Sequence, residues 1–259
     1  MSTKMKRPVL KKAPVEPVVE EVKEEVKEAP KKPEVKPEIS ISTMNDNFVF
    51  IDNLYRSRLT LLDILSARGY DVERFRKFSP AEATAASGAL AGLSFIAQKK
   101  ESDQVCDVRY ITSSRPKMDT FFNDVSDEKS ESTEVIVMME APVAEVHHQA
   151  ALKQYMKWKE EINGEKARRK LRVSFFSIYA LVINPMLHVL VPKHEIVPEA
   201  EHKELMDSMY ITSKSKFPEI KFHTDPIARC IGAVPGDIIK ITRPSASSGQ
   251  AIVYRVCAP

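Results

Sequence analysis

His147-His148 are the residues whose type most invites a chemical role, because imidazole is a common ligand of zinc and other divalent ions. Two imidazoles sharing a metal from one helix need i, i+4 spacing, whereas adjacent residues point about 100° apart. No HExxH occurs, and His188, His194, His202 and His223 form no ligand cadence, so the pair reads as structural and no metal site is expected. Ser113-Ser114 and Ser245 to Ser248 lack a GxSxG elbow or a neighbouring base, which leaves nucleophilic catalysis without support. Gly88-Ala89-Leu90-Ala91-Gly92 lacks the Lys-Ser/Thr of a phosphate-binding loop and reads as the interior of an Ala-rich helix. Cys106, Cys230 and Cys257 form no CxxC pair, as expected of free thiols in a reducing compartment. Neither a catalytic residue nor a cofactor site emerges. What remains is charge: Lys166-Ala167-Arg168-Arg169-Lys170-Leu171-Arg172 places five cations in seven residues at a helix end. Such cations complement the helix dipole, and they equally suit a phosphate-facing patch or a nuclear address. Arg74 to Lys77 and Lys214 to Lys221 are sparser and read as solvated faces.

The elements that must position these residues follow from composition and periodicity. The chain has 259 residues, 43% of them apolar, and a net charge of +3, too small to argue for nucleic acid by itself. Residues 1–44 contain no aromatic and no glycine and consist largely of Lys, Glu, Val and Pro, so they are expected to form a disordered tail. Order is expected from Asn47, where Ile51, Leu54, Tyr55, Leu59, Leu62 and Leu65 line a helix that Gly69 stops. Ser79-Pro80-Ala81-Glu82 is a capping-box start for the Ala-rich helix, which is read as far as Lys99. A strand over 106–111, a polar loop over 112–132, a buried strand over 135–139, a helix opening at Pro142 and a strand over 172–178 follow. This strand, helix, strand order predicts a parallel crossover and an α/β domain over 45–185. A smaller α+β domain over 186–259 begins with a strand at 187–191 and a helix at 198–209, then a basic connector over 214–222. Val173 to Leu190, the longest apolar candidate, is broken by Pro185 and polar residues, so no membrane span is expected. The N-terminus has no apolar core of a signal peptide, and a soluble intracellular protein is expected.

The C-terminal stretch is the most specific. Asp225-Pro226 caps and opens a short helix, Gly232 ends it in the left-handed conformation, and Pro235-Gly236 turns the chain into Ile238-Ile239-Lys240-Ile241. Arg243 to Gly249 then forms a hairpin turn into Ala251 to Val256. Asp225-Pro226, Ala228-Arg229, Gly232, Gly236, Ile238 to Ile241, Arg243-Pro244-Ser245, Gly249 and Tyr254-Arg255 resemble the signature of the small shared subunit of multisubunit RNA polymerases. That subunit is called H in archaea and is the fifth subunit, common to polymerases I, II and III, in eukaryotes. His194 to Pro198 resembles the start of the same domain, and Leu54 to Val72, with Arg68-Gly69-Tyr70 closest, resembles the opening helix of the eukaryotic N-terminal jaw. Cys230-Ile231, Pro235 and Gln250-Ala251 depart from the family pattern, a drift that suits a viral polymerase with altered partners.

The resemblance implies a non-catalytic polymerase subunit. Its C-terminal domain would dock on the largest subunit, with Arg229 and Arg243 as interface candidates and Gly232 and Gly236 as structural turns. Its jaw would line downstream double-stranded DNA without reading sequence, with Arg168, Arg169 and Lys170 as contact candidates. The location implied is the nucleus for a cellular eukaryotic polymerase, or a cytoplasmic virus factory or virion for a viral one. Two readings from other classes stand beside it: a free-standing nucleic-acid-binding or interaction protein using the same fold, and a degenerate nuclease. Nuclease chemistry of this fold needs an Asp and then Glu-x-Lys on the next strand. Asp107 could open that pattern, but Val135 to Met139 runs into Glu140-Ala141-Pro142 without the lysine.

Overall fold

The computed structural model describes residues 41–112, 121–122, 124, 133–161 and 171–259, with 41–46 and 158–161 described by backbone only. The expected tail therefore lies outside the described residues except for 41–44, which belong to the first helix rather than to the tail. That helix, α1, runs Ile41–Ala67 and buries Leu54, Leu61, Leu62, Ile64 and Leu65. Arg68 and Gly69 turn the chain out of it, Gly69 at φ +87°, a conformation glycine adopts without steric cost.

Ser79 caps α2 (Pro80–Ala86): its hydroxyl accepts from the Glu82 N–H at 3.3 Å, and the Glu82 carboxylate accepts from the Ser79 N–H at 2.8 Å. The helix does not continue to Lys99. It stops at Ala86, a 3₁₀ turn covers Leu90–Leu93, and Phe95–Gln98 is strand β1. Gly88 and Gly92 each disfavour helix by roughly 1 kcal/mol relative to alanine. Phe95 and Ala97 alternate inward with Ile96 and Gln98 outward, the period of a strand. The Gly88–Gly92 segment is thus a turn and not the interior of a helix.

The first sheet has the order β1-β2-β3-β4, with β2 at Val105–Ile111, β3 at Glu134–Met139 and β4 at Arg172–Ser177. β1 is antiparallel to β2, while β2, β3 and β4 run parallel. All six residues of β3 are buried, and alternate ones serve opposite faces. Ile136 and Met138 join the α1 core, while Val135, Val137 and Met139 join a second cluster with Phe175 and Ala151. Ala151 lies on α3 (Glu145–Glu161), so the sheet has helices on both sides and the expected parallel crossover. Pro142 precedes α3 by three residues; the helix buries His147, His148, Ala151 and Tyr155, while Val146 is 67% exposed. Within the expected 112–132 loop, Phe121 and Phe122 pack against Phe175, so that segment is not wholly polar surface.

The second sheet has the order β5-β7-β8-β6, from β5 (Lys193–Ile196), β6 (Glu219–Lys221), β7 (Ile238–Ser245) and β8 (Gly249–Ala258). β7 and β8 form the expected hairpin, but its turn is confined to 246–248, since Arg243 to Ser245 and Gly249 pair within the strands, and β5 adds antiparallel to β7. No strand occupies 187–191. The Asn184 side chain accepts from the Met186 N–H, and the N–H groups of Leu187, His188 and Val191 bond to carbonyls three residues back. Those local bonds use the groups a ladder would need. The basic connector contains β6, parallel to β8. Helices α4 (His202–Ser208) and α5 (Pro226–Ile231) complete this part.

Ser40–Pro259 is one compact unit. Cys230 of α5 lies in the α1 core, and Tyr155 of α3 packs with Phe222, Ile239 and Ile241 of the second sheet.

Candidate functional site

A buried ion network stands where the signature helix meets the first sheet. Glu134 opens β3 and is only 4% exposed. Its Oε1 accepts from Arg68 Nη1 at 3.0 Å and from Arg172 Nη1 at 3.2 Å. Its Oε2 accepts from Arg68 Nη2 and from the Tyr70 hydroxyl at 3.1 Å. Burial alone would raise the Glu134 pKa, but the Arg68 and Arg172 charges and these hydrogen bonds outweigh it and hold the carboxyl below the usual range. A carboxylate so held is a poor proton donor or acceptor near neutral pH, so the network is structural rather than acid–base machinery. Arg172 Nη2 also donates to the Arg229 carbonyl at 3.1 Å, at the C-terminal end of α5, where orphan carbonyls need donors.

Gly232 is part of the same construction. It closes α5 at φ +88°, and a Cβ there would stand about 2.5 Å from Arg68 Nη2. Asp225 caps the other end of α5, accepting from the N–H groups of Ile227 at 2.8 Å and Ala228 at 3.1 Å. An open cleft of about 820 Å³ lies beside the network, lined by Arg68, Glu134, Arg172, Cys230 and Gly232 among others.

Among the remaining candidates, Gly236 takes φ +101° in the turn into β7, and a Cβ there would meet nothing within 4 Å. Arg229 is turned inward: its Nη1 donates to the Phe175 carbonyl at 2.7 Å and its guanidinium lies 5.1 Å from the Phe176 ring centroid. It ties α5 to β4, where the resemblance implied a partner contact. Arg243 is exposed on the hairpin. Arg168, Arg169 and Lys170 lie outside the described residues. Arg172, counted in the same cationic run, is only 5% exposed and belongs to the network, not to a surface patch. His147 Nδ1 accepts from the Ala144 N–H at 3.0 Å, and the His148 and His223 rings lie 5.7 Å apart, with no metal-binding group among the described residues. Asp107 is paired with Arg109 at 2.7 Å. Reasoning from sequence missed Glu134; its signal is a lone carboxylate at the head of the apolar run 135–139.

Comparison with known proteins turns this geometry into a family assignment. The DNA-directed RNA polymerase subunit Rpo5 of Methanosarcina barkeri is 51% identical over 69 residues, 27% of this chain and 86% of the relative. Its counterpart in Archaeoglobus fulgidus is 49% identical over 69 residues, 27% of this chain and 88% of the relative. The chain belongs to the Rpo5/Rpb5 family of DNA-directed RNA polymerase subunits. The family description "RNA polymerase Rpb5, C-terminal domain" matches residues 183–257, from just before the 3₁₀ turn at Pro185–Leu187 to the end of β8. Over a longer span, the chain is 27% identical to DNA-directed RNA polymerases I, II, and III subunit rpabc1 of Dictyostelium discoideum, across 213 residues, 80% of this chain and 98% of the relative. These relatives are subunits of DNA-directed RNA polymerases, and the Rpb5-type domain here has mixed helix and strand content. The ion network joins that domain to the strands and helix that precede it: Arg68, Tyr70, Glu134 and Arg172 all come from outside residues 183–257.

Proposed function

We propose that this chain is a non-catalytic polymerase subunit that docks on the largest subunit through residues 183–259, and that its preceding part is a jaw facing downstream DNA. The carrying observation is the length of the archaeal relatives. The matched 69 residues make up 86% of one of them, so such a relative has almost no room for a counterpart of residues 41–182. A polymerase-binding surface common to the family therefore belongs in the C-terminal domain. That domain opens with an apolar loop that finds no cover among the described residues: Ile183, Leu187, Val189 and Leu190 are all exposed, Val189 at 96%. Pro185 and the Asn184 cap hold the loop in a turn, so presenting these side chains to a partner needs little further ordering. The two parts divide near residue 185, between the first and the second sheet, and the ion network sets the angle at which a docked C-terminal domain would present the jaw. Such a subunit works where its polymerase works, in the nucleus for a cellular eukaryotic polymerase or in a cytoplasmic factory or virion for a viral one.

Affinity purification of the tagged full chain tests the assembly reading. The expected result is stoichiometric recovery with the two very large polymerase chains; recovery alone, or with nucleic acid only, returns the chain to the free-standing reading. The DNA contact is tested in the assembled enzyme by reversing Arg168, Arg169 and Lys170 to glutamate. Downstream DNA retention should weaken most at low salt, because phosphate contacts are screened as salt rises. Equal retention across the salt series would make this run a solvated helix end.

A further inference from the structure

Tyr210 follows α4 with φ +55°, the only non-glycine residue of positive φ among the described residues. The surrounding hydrogen bonds identify the motif. The Ile211 N–H reaches back to the Met206 carbonyl at 2.9 Å and the Tyr210 N–H to the Asp207 carbonyl at 3.2 Å, the two bonds of a Schellman helix end. Ile211 and Met206 also share a cluster with Ile238 and Val256, supplying the apolar contact that accompanies this motif. In such an end the left-handed position is normally glycine, because a Cβ is disfavoured there.

A tyrosine in that position would be understandable if its ring packed on the fold. It does not: Tyr210 is 94% exposed, and the adjacent Met209 is 43% exposed. The backbone strain is therefore not offset by any packing among the described residues, while an aromatic and a thioether stand out from the tip of a helix anchored below. Strain retained at an exposed aromatic is the mark of a contact residue, since a ring with two torsions covers much area at little entropic cost.

The charge around the tip selects the partner class. The last turn of α4 has no basic residue and contains Asp207. Lys214 and Lys216 keep their charge but direct their ammonium groups at the chain's own acceptors, Lys214 at His202 and the Gly236 carbonyl and Lys216 at the Thr212 hydroxyl, and Lys203 stands in the first turn of α4, away from the tip. An exposed ring and thioether beside a carboxylate, with no cation in the turn that carries them, suit an apolar protein pocket better than a phosphate backbone. We propose that Tyr210, with Met209 beside it, inserts into an apolar pocket of a neighbouring protein chain in the assembled polymerase. This deepens, and rests on, the assembly reading above.

The test uses the full chain in competition. Tagged wild type and Tyr210→Gly, Tyr210→Phe and Tyr210→Asp variants are each co-expressed with an equal amount of differently tagged wild type, and the share of each in purified polymerase is measured beside the melting temperature of each free chain. Relief of strain should raise the Tyr210→Gly melting temperature by about 2–4 °C. Its share of the polymerase should nevertheless fall about tenfold, as for a lost aromatic anchor. Phenylalanine should keep most of the share and aspartate should lose it. Equal incorporation of the glycine variant, or a loss of incorporation that tracks a fall in melting temperature, overturns the proposal. Full incorporation with weakened nucleic-acid retention also overturns it and assigns the ring to nucleic acid. If tagged wild type brings no polymerase chains with it, the assembly reading itself fails, and this inference with it.

Discussion

Glu134 neutralises only one of the two arginines that share it, and both arginines gain their place from it. Replacing it with glutamine keeps the volume but leaves Arg68 and Arg172 facing a neutral amide at a buried position. Removing one partner of a buried ion cluster typically costs about 3–5 kcal/mol, so urea unfolding of Glu134→Gln should show a loss of that size, with incorporation into polymerase reduced alongside. A second residue-scale prediction concerns acid. Burial, with Arg229, His223 and His147 nearby, lowers the His148 pKa to about 4, and burial also lowers that of His223 despite Glu145 at 3.9 Å. The unfolded histidines bind protons more readily than the folded ones, so their contribution is full above about pH 6.5 and falls as pH drops toward 4. The midpoint of urea unfolding should decline over that window, and His148→Phe should flatten the decline; an unchanged pH profile would remove these rings as its source. At this scale the sequence was a poor guide to role. Arg172 was read as part of a cationic run and Arg229 as a partner-interface residue, yet both are committed inside the chain. Their partners, a glutamate 38 residues upstream of one and a carbonyl 54 residues upstream of the other, leave no local trace.

Elements were legible where their signals are local. The Ser79 capping box, the Asp225-Pro226 start, the Gly232 end and the hairpin β7–β8 each depend on a few adjacent residues and stand where the sequence placed them. What failed was extent and competition. Alanine-rich composition carried α2 too far past two glycines, and the apolar residues 187–191 were read as a strand although their backbone bonds close locally. Leu187, Val189 and Leu190 are exposed there, and periodicity cannot distinguish exposed apolar residues from core. The two glycines of the signature now separate into different tests. Gly236→Ala meets no atom, so it should cost only backbone strain, about 1–2 kcal/mol. Gly232→Ala adds a collision with the Arg68 guanidinium, which Glu134 holds in place. It should therefore destabilise by clearly more, and Arg68→Ala should erase most of the difference between the two alanine variants in a double-mutant cycle. Equal costs for the two glycines would mean that Arg68 moves aside freely.

At the scale of the whole molecule, the question is whether one compact unit can contain two separable roles. The core is shared: α3 reaches both sheets, Cys230 sits among α1 side chains, and Arg172, held by Glu134, bonds the end of α5. Cutting the chain near residue 182 would expose Phe222, Ile239 and Ile241 where Tyr155 packed, and would leave the α5 carbonyls without Arg172. A fragment over 183–259 is thus expected to melt well below the full chain, since a domain of this size has little stability to spare. Relatives scarcely longer than the match still serve as polymerase subunits, which argues that the fragment keeps its binding surface. The expected outcome is that the 183–259 fragment captures the largest polymerase subunit and the 41–182 fragment does not. The apolar loop provides the control that does not depend on cutting. Val189→Asp and Leu187→Asp in the full chain change side chains that lie almost wholly in solvent, so the melting temperature should barely move. Burying a carboxylate against an apolar partner is costly, so recovery with the polymerase should fall at least tenfold. Capture by the 41–182 fragment alone, together with normal recovery of both aspartate variants, would place the docking surface in the first part of the chain and reverse the roles assigned to the two halves.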